Sequence, residues 1–394
     1  MRNVVLAGPV RTAIGDFNGA LATVPATRLG ALVIAAAIRR AGLSSEQVDE
    51  VIMGNVLPHG LGQNPARQAA IQAKMPWETG CLTVNKVCGS GLKAVMLAVQ
   101  AIQAGDAEVI VAGGMENMNL CPYLLDKARS GYRMGHGTLI DAMVRDGLWD
   151  LNNDFHMGVS AELVADKYQV TREDMDGFTL DSYEKALRAV RGGLFREEIL
   201  PVEIPQRKGP PLLFEQDEVP RETSAEALSR LAAAFKQDGR VTAGNASKIS
   251  DGAAAVVCLA EETARQLGVK PVARAVAQAS SGIDPKYVLV APILGIPRVL
   301  KKARLGIEDI DLFEINEAFA SSSVAIQREL RIDPGKVNVH GGAVALGHPI
   351  GASGARVLVT LLNALRRQEA RRGLASLCLG GGESVNLIVE RLAP

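Results

Sequence analysis

Leu82-Thr83-Val84-Asn85-Lys86-Val87-Cys88-Gly89-Ser90-Gly91 is the stretch that decides how this chain folds. Its first three residues read as a short strand, and the remainder turns through two glycines into a helix. Leu92, Val95, Met96, Val99 and Ile102 share one face of that helix at the 3.6-residue period. Gly105 stops it, and residues 108–112 follow as a buried strand that runs into Gly113-Gly114. Working upstream, residues 4–7 read as a strand, 29–41 as a helix ended by Gly42, 50–56 as a strand and 66–74 as a helix. Strands alternating with helices in this way make an α/β protein.

The last third of the chain has the same grammar. Residues 311–315 and 337–339 read as strands and residues 341–354 as a glycine-rich turn. A helix follows with Leu358, Leu361, Leu362 and Leu365 on one face, then a strand over 375–379 that enters Gly380-Gly381-Gly382. Two copies are too few for a solenoid, so the pattern implies two related α/β halves. The expected division is residues 1–118 for the first half (completed by about 246–267), 119–245 for an inserted loop domain, and 268–394 for the second half. The insertion is richer in charge, with helical patterns over 159–168 and 175–191 and a proline-rich run over 201–220. Such a segment is a place for substrate recognition.

Composition narrows the function classes. Of 394 residues, 47% are apolar, 22% charged and 4% aromatic, with 40 glycines; this excludes a disordered, collagenous or coiled-coil chain. The 43 basic and 43 acidic side chains cancel, so no net field favours nucleic acid or an anionic membrane, and an anionic ligand needs a local site. The longest apolar run, 29–38, ends at Arg39-Arg40, short of the roughly 20 residues of a membrane span. Met1-Arg2-Asn3 opens no recognisable targeting segment, so the expected location is the cytoplasm. Five scattered cysteines without a C-x-x-C pair imply reduced thiols, and no two of the five histidines have zinc-ligand spacing, so no metal is expected.

Cys88 precedes a helix start, where free N–H groups and the helix dipole favour a thiolate nucleophile; an inert buried cysteine is the plain alternative. Gly89-Ser90-Gly91-Leu92-Lys93-Ala94 also fits a loose dinucleotide fingerprint. A dinucleotide site wants an acidic residue after the next strand, however, and Gly113-Gly114 stands there. His348, presented from the glycine-rich 341–354 segment, suits a base or hydrogen-bond donor. Cys378 ends a strand before Gly380, and Asn316 follows the 311–315 strand where open sheets place ligand contacts, unless it is only an N-cap.

Together, Asn85 to Gly91, Gly113-Gly114-Met115-Glu116-Asn117-Met118, Asn316-Glu317-Ala318-Phe319-Ala320, Gly341 to Arg356 and Cys378-Leu379-Gly380-Gly381-Gly382 resemble the signatures of the thiolase superfamily, in order and over essentially the whole chain. The resemblance implies layered helices and mixed sheets in two duplicated halves. It implies that Cys88 takes an acyl group from acyl-CoA and that His348 takes the thiol proton. Cys378 would exchange the α-carbon proton. One oxyanion hole would come from the amides of Cys88 and Gly380, the other from His348 with a water on Asn316.

The same resemblance implies coenzyme A contacts at Ser247, Ala243 and Gly244, at Arg221 and Leu231, and at His156, Met157, Ala318 and Phe319. Coenzyme A is substrate and product, no tightly bound cofactor is expected, and the chain is expected to form a homo-oligomer, a dimer or tetramer. Residues 133–158 look like the biosynthetic branch, which condenses two acetyl-CoA to acetoacetyl-CoA; a broader-range degradative thiolase is the alternative. Three departures stand out: Lys248 where Gly or Gln is usual, residues 287–292 in place of a methionine- and glycine-containing wall, and Glu383-Ser384 after the last glycines. A non-catalytic acyl-CoA carrier would be expected to lose catalytic residues that this chain keeps, and a decarboxylating ketoacyl synthase would be expected to carry a second histidine where Cys378 stands.

Overall fold

The structure, a computed structural model, describes residues 2–392; the outermost limits expected for the two halves, 1 and 394, lie outside them. In chain order the main elements of the first half are β1 (Val4–Thr12), α1 (Ala26–Ala41), β2 (Glu50–Gly54), α2 (Pro65–Gln72), β3 (Gly80–Val84), α3 (Ser90–Ala104) and β4 (Val109–Asn117). Helices α4 (Met157–Lys167) and α5 (Arg172–Arg191) follow, with several two- and three-residue strands around them. Then come β5 (Ser250–Ala260), β6 (Ala273–Gly282), α6 (Pro292–Ala303), β7 (Leu312–Ile315), α7 (Ala320–Leu330), α8 (Ser353–Arg367), β8 (Arg372–Leu379) and β9 (Glu383–Arg391).

Strand order shows the duplication. β2 is parallel to β4, β4 antiparallel to β5, and β5 antiparallel to β1. In the second half β7 is parallel to β8, β8 antiparallel to β9, and β9 antiparallel to β6. The two series meet through β1 and β6 at only two register pairs, Val5 with Arg274 and Leu6 with Ala273. Along β5, Ala253, Ala255, Val257 and Leu259 face α1 and α2, while Ala254, Val256 and Cys258 face α3 and α8. The alternation follows from the two-residue period of a strand. Because both faces are covered, β5 reads as one continuous apolar run.

Helices α3 and α8 thus lie in the centre, in one apolar cluster with strands of both halves, and a third cluster packs α6 and α7 on the outer side of the second half. The segment Val87–Ala104, α3 with its entry turn, is long and apolar enough to cross a membrane by length and composition. The 29–38 run was therefore not the chain's most span-like stretch; α3 owes its apolar character to burial from both sides.

Two expectations need correction. Residues 337–339 form no strand: Asn338 takes a left-handed backbone (φ 45°), and its side chain bonds both N–H and C=O of Ile315, substituting for a strand partner. Strand β4 does not end at the glycine pair but runs to Asn117, because Gly113 and Gly114 leave room for the backbones of β5 and of Gly351 to press against it.

Candidate active site

Cys88 projects from the turn between β3 and α3. Val87 before it has φ 45°, a left-handed conformation that costs a β-branched residue about 1–3 kcal/mol. Neighbouring side chains hold the turn: the Val87 N–H donates to Asn85 Oδ1 (3.0 Å), the Lys86 N–H to Ser90 Oγ (2.8 Å), and the Ser90 hydroxyl to the Val87 carbonyl (2.6 Å). The Cys88 and Gly380 amides both point at Cys88 Sγ, a pair of donors suited to an oxyanion.

The expected resting thiolate is not what this environment favours. Burial, reinforced by the charge of Glu116, pushes the Cys88 thiol up to about 12, and the two amides oppose it without prevailing. Cys88 rests as a thiol and needs a base.

His348 is buried and lines the same cavity as Cys88. Burial and then the charge of Arg356 push its imidazole down to about 3, so the ring is neutral. Its Nε2 lies 3.4 Å from Asn316 Nδ2, and its Nδ1 lies 2.6 Å from Ser353 Oγ. The Ser353 hydroxyl has one hydrogen and two acceptors in reach, His348 Nδ1 and the Pro349 carbonyl at 2.9 Å. It can therefore receive Nδ1–H or donate to bare Nδ1, and supports either neutral tautomer. Cys378, at the end of β8, is buried; desolvation first and Cys88 second push its thiol well above the ordinary range.

Two buried carboxylates fix the loops. Glu116 accepts from the amides of Val56, Leu57 and Gly351 and from Asn55 Nδ2, joining the β2 exit to the segment carrying His348. Burial pushes Glu116 up to about 7, while four donors and no acceptor favour its ionised form. Glu317 accepts from Ser182, Asn338 and the Val344 amide, tying the loop after β7 to α5 and to the glycine-rich segment.

A cavity of about 390 Å³ joins these groups. Cys88, His348, Cys378 and Gly380 line it, as do Ala243, Ser247, His156, Met157, Ala318 and Phe319. Asn316 reaches it through His348. Arg221, Leu231 and Gly244 are not in its wall: Gly244 is buried against Leu231 and Leu228, and Arg221 is exposed. Phe235 is a wall residue that sequence reasoning missed; it stacks on His156 (4.8 Å, 14°) and meets Phe319 edge-on. It closes the short apolar run 231–235, which carries no helical or strand period and no motif, so nothing in the sequence marked it as a wall residue. Met118 and Ile350 also line the cavity and, with Val56, Leu57 and Met143, form the small apolar cluster against which Cys88 packs.

Fold and site together define an α/β protein whose cavity gathers two cysteine thiols and a neutral imidazole. Residues 4–262 match the family model described as thiolase, N-terminal domain, and residues 269–391 match thiolase, C-terminal domain. An acetyl-CoA acetyltransferase of Pseudomonas aeruginosa is 55% identical over 392 residues, 99% of this chain and 100% of that one. One of Cupriavidus necator is 53% identical over the same shares. The crystal structure of the Bacillus anthracis acetyl-CoA acetyltransferase superposes with a TM-score of 0.98 at 42% identity, covering 100% of this chain and 99% of that one. The chain belongs to the thiolase family.

Proposed function

We propose that this enzyme is an acetyl-CoA acetyltransferase, joining two acetyl-CoA into acetoacetyl-CoA and CoA, or running in reverse, through an acyl group on Cys88. The observation that carries the reading is the meeting of Cys88, His348, Cys378 and the Gly380 amide in one cavity. His348 Nε2 takes the Cys88 proton as Sγ attacks the thioester carbon, and the Cys88 and Gly380 amides receive the developing oxyanion. The CoA thiolate leaves and, in condensation, takes its proton from Cys378, while His348 keeps the one it took from Cys88.

In the second half-reaction Cys378 exchanges the α-proton of acetyl-CoA, the enolate oxygen faces His348 Nε2–H, and the enolate carbon displaces from the acyl group the Cys88 thiolate, which takes its proton back from His348. Burial helps here: a desolvated thiolate is a stronger base, closer to the weakly acidic α-carbon. The resting thiol is ready to protonate that carbon in cleavage; in condensation it first passes its proton to the departing CoA thiolate.

Ser247, Ala243, His156, Met157, Ala318 and Phe319 would hold the pantetheine arm, with Arg221 outside the cavity serving the nucleotide end. The chemistry calls for no tightly bound cofactor, and its need for free thiols suits the cytoplasm. We infer a homo-oligomer, a dimer or tetramer. Strand β3 is an edge strand with Leu82 43% and nearby Trp77 73% exposed, and Met134 (98%) and Leu139 (64%) are exposed at the tip of the 119–140 segment. A monomer in light scattering would remove that inference.

The direct test of the reaction is mass spectrometry after incubation with acetyl-CoA. A Cys88 peptide should gain an acetyl group and Cys88→Ser should lose it; label on Cys378 alone sinks the assignment.

A further inference from the structure

Lys248 lines the cavity one residue after Ser247, yet its ammonium turns back from the opening. Nζ donates to the carbonyls of Ala243, Ala246 (2.7 Å) and Gly244 (3.4 Å). An ammonium has three N–H donors, and each finds a carbonyl of the 243–246 turn. The outer side of that turn is already fixed: Thr242 and Asn245 bond one another and neighbouring amides, Asn245 Nδ2 reaches Asp176, and the Ala320 amide takes the Asn245 carbonyl. The inner carbonyls would otherwise face one another with no donor. Glycine at position 248 supplies none and glutamine supplies two.

We propose that Lys248 is a positioning residue that holds the 243–247 turn in the shape that receives the pantetheine arm of coenzyme A, and so sets affinity for the carrier rather than the rate of acyl transfer. The proposal rests on the reading that this turn binds coenzyme A. The separation from chemistry follows from Ser250. Its hydroxyl donates to the Lys248 carbonyl (2.8 Å) and accepts from the His348 amide (3.2 Å), so the backbone beside the catalytic ring is held without the lysine side chain. Burial, with Arg221 acting in the same direction and Asp16 opposing, brings the ammonium down to about 8. Above that pH one donor is lost and the turn should loosen.

The test is calorimetric titration with desulfo-CoA, which carries no thiol to react or titrate, alongside steady-state thiolysis of acetoacetyl-CoA. Lys248→Met should weaken desulfo-CoA binding about tenfold and raise KM by a similar factor while kcat changes less than about twofold, with Lys248→Gln between it and the wild type. Wild-type affinity should fall from about pH 7 to about pH 9, and the Met variant should stay flat over that range. Wild-type affinity in Lys248→Met, or a kcat that falls as far as KM rises, overturns the proposal. Should the Met variant not fold, a wild-type affinity that does not change across the same pH range overturns it. Ser247→Trp separates the two levels: if filling that position leaves desulfo-CoA binding intact, the coenzyme A reading of the turn fails; if it abolishes binding while Lys248→Met does nothing, only the role of Lys248 fails.

Discussion

Gly91 and Gly354 meet backbone to backbone where the first turns of α3 and α8 cross. A β-carbon on Gly91 would lie 2.8 Å from the Ala355 amide nitrogen, and one on Gly354 would overlap the Leu92 backbone. This approach sets the separation between the turn that carries Cys88 and the segment that carries His348. Gly354→Ala should therefore cost about 2 kcal/mol or more in urea denaturation and slow acylation by more than the stability loss explains, since the crossing can open only by moving the two catalytic segments apart. Wild-type acylation in a destabilised but folded variant would show that the helices do not set the spacing.

Cys378→Ala should spare acylation of Cys88 and stop carbon–carbon bond formation. The residue is assigned to the α-proton and not to the thioester. Acetyl labelling of Cys88 and hydrogen–deuterium exchange at the acetyl methyl group measure the two steps separately. Exchange at the wild-type rate would remove Cys378 from the proposed mechanism.

Ser353→Ala takes away the side chain bonded to His348 Nδ1. The ring keeps its burial but loses the partner that accommodates both tautomers, so kcat should fall about 10- to 100-fold with KM little changed. Ser353→Thr, which keeps the hydroxyl, should recover much of that loss. Nitrogen chemical shifts of His348 give a second reading, because a shift in tautomer population is expected in the alanine variant and not in one that is merely less stable.

Glu116→Gln is nearly isosteric and should still be severe. The carboxylate faces donors only, and an amide would point its NH2 at some of them, leaving buried groups without acceptors. A loss of about 3 kcal/mol is expected in thermal or urea unfolding. Stability within about 0.5 kcal/mol of wild type would mean that the four bonds are dispensable.

Acyl chain length should be limited by the wall of the cavity. Val288 is fully buried while lining the cavity, and Met118 and Ile350 close the apolar cluster on which Cys88 packs. Acetoacetyl-CoA should be a good substrate, with tolerance for one or two more carbons and falling kcat/KM beyond, since each methylene is worth on the order of 1 kcal/mol. Val288→Met should narrow the range further. A kcat/KM that rises through C8 in the unmodified enzyme would favour the broader-range reading.

Much of this architecture was legible where periodicity was one-sided or glycine punctuated it. Helix α3, with its apolar stripe and Gly105 stop, is such a case. Strand β5 was not, because it is buried on both faces and its Ala253-Ala254-Ala255 run carries neither alternation nor β-branched residues. Residues 337–339 misled for the opposite reason: Val-Asn-Val alternates, but asparagine tolerates the left-handed backbone and replaced a strand partner with its own amide. At the site, Cys88, His348, Asn316 and Cys378 stood out because glycines and strand ends frame them. Their protonation was not readable, since the helix-end argument for a Cys88 thiolate is local and the desolvation that outweighs it comes from residues far away in sequence. Phe235, Ser353 and Glu116 matter through what they touch, and only the folded chain shows those partners.

The two series of strands pair directly only at β1 and β6, and the cavity draws its residues from both. Cys88 belongs to the first series of strands; His348, Asn316, Cys378 and Gly380 belong to the second. Neither series holds both the proposed nucleophile and its proposed base. Because α3 and α8 pack in one apolar cluster with strands of both series, the halves cannot part without opening that core, so heating should take activity and the circular dichroism signal together.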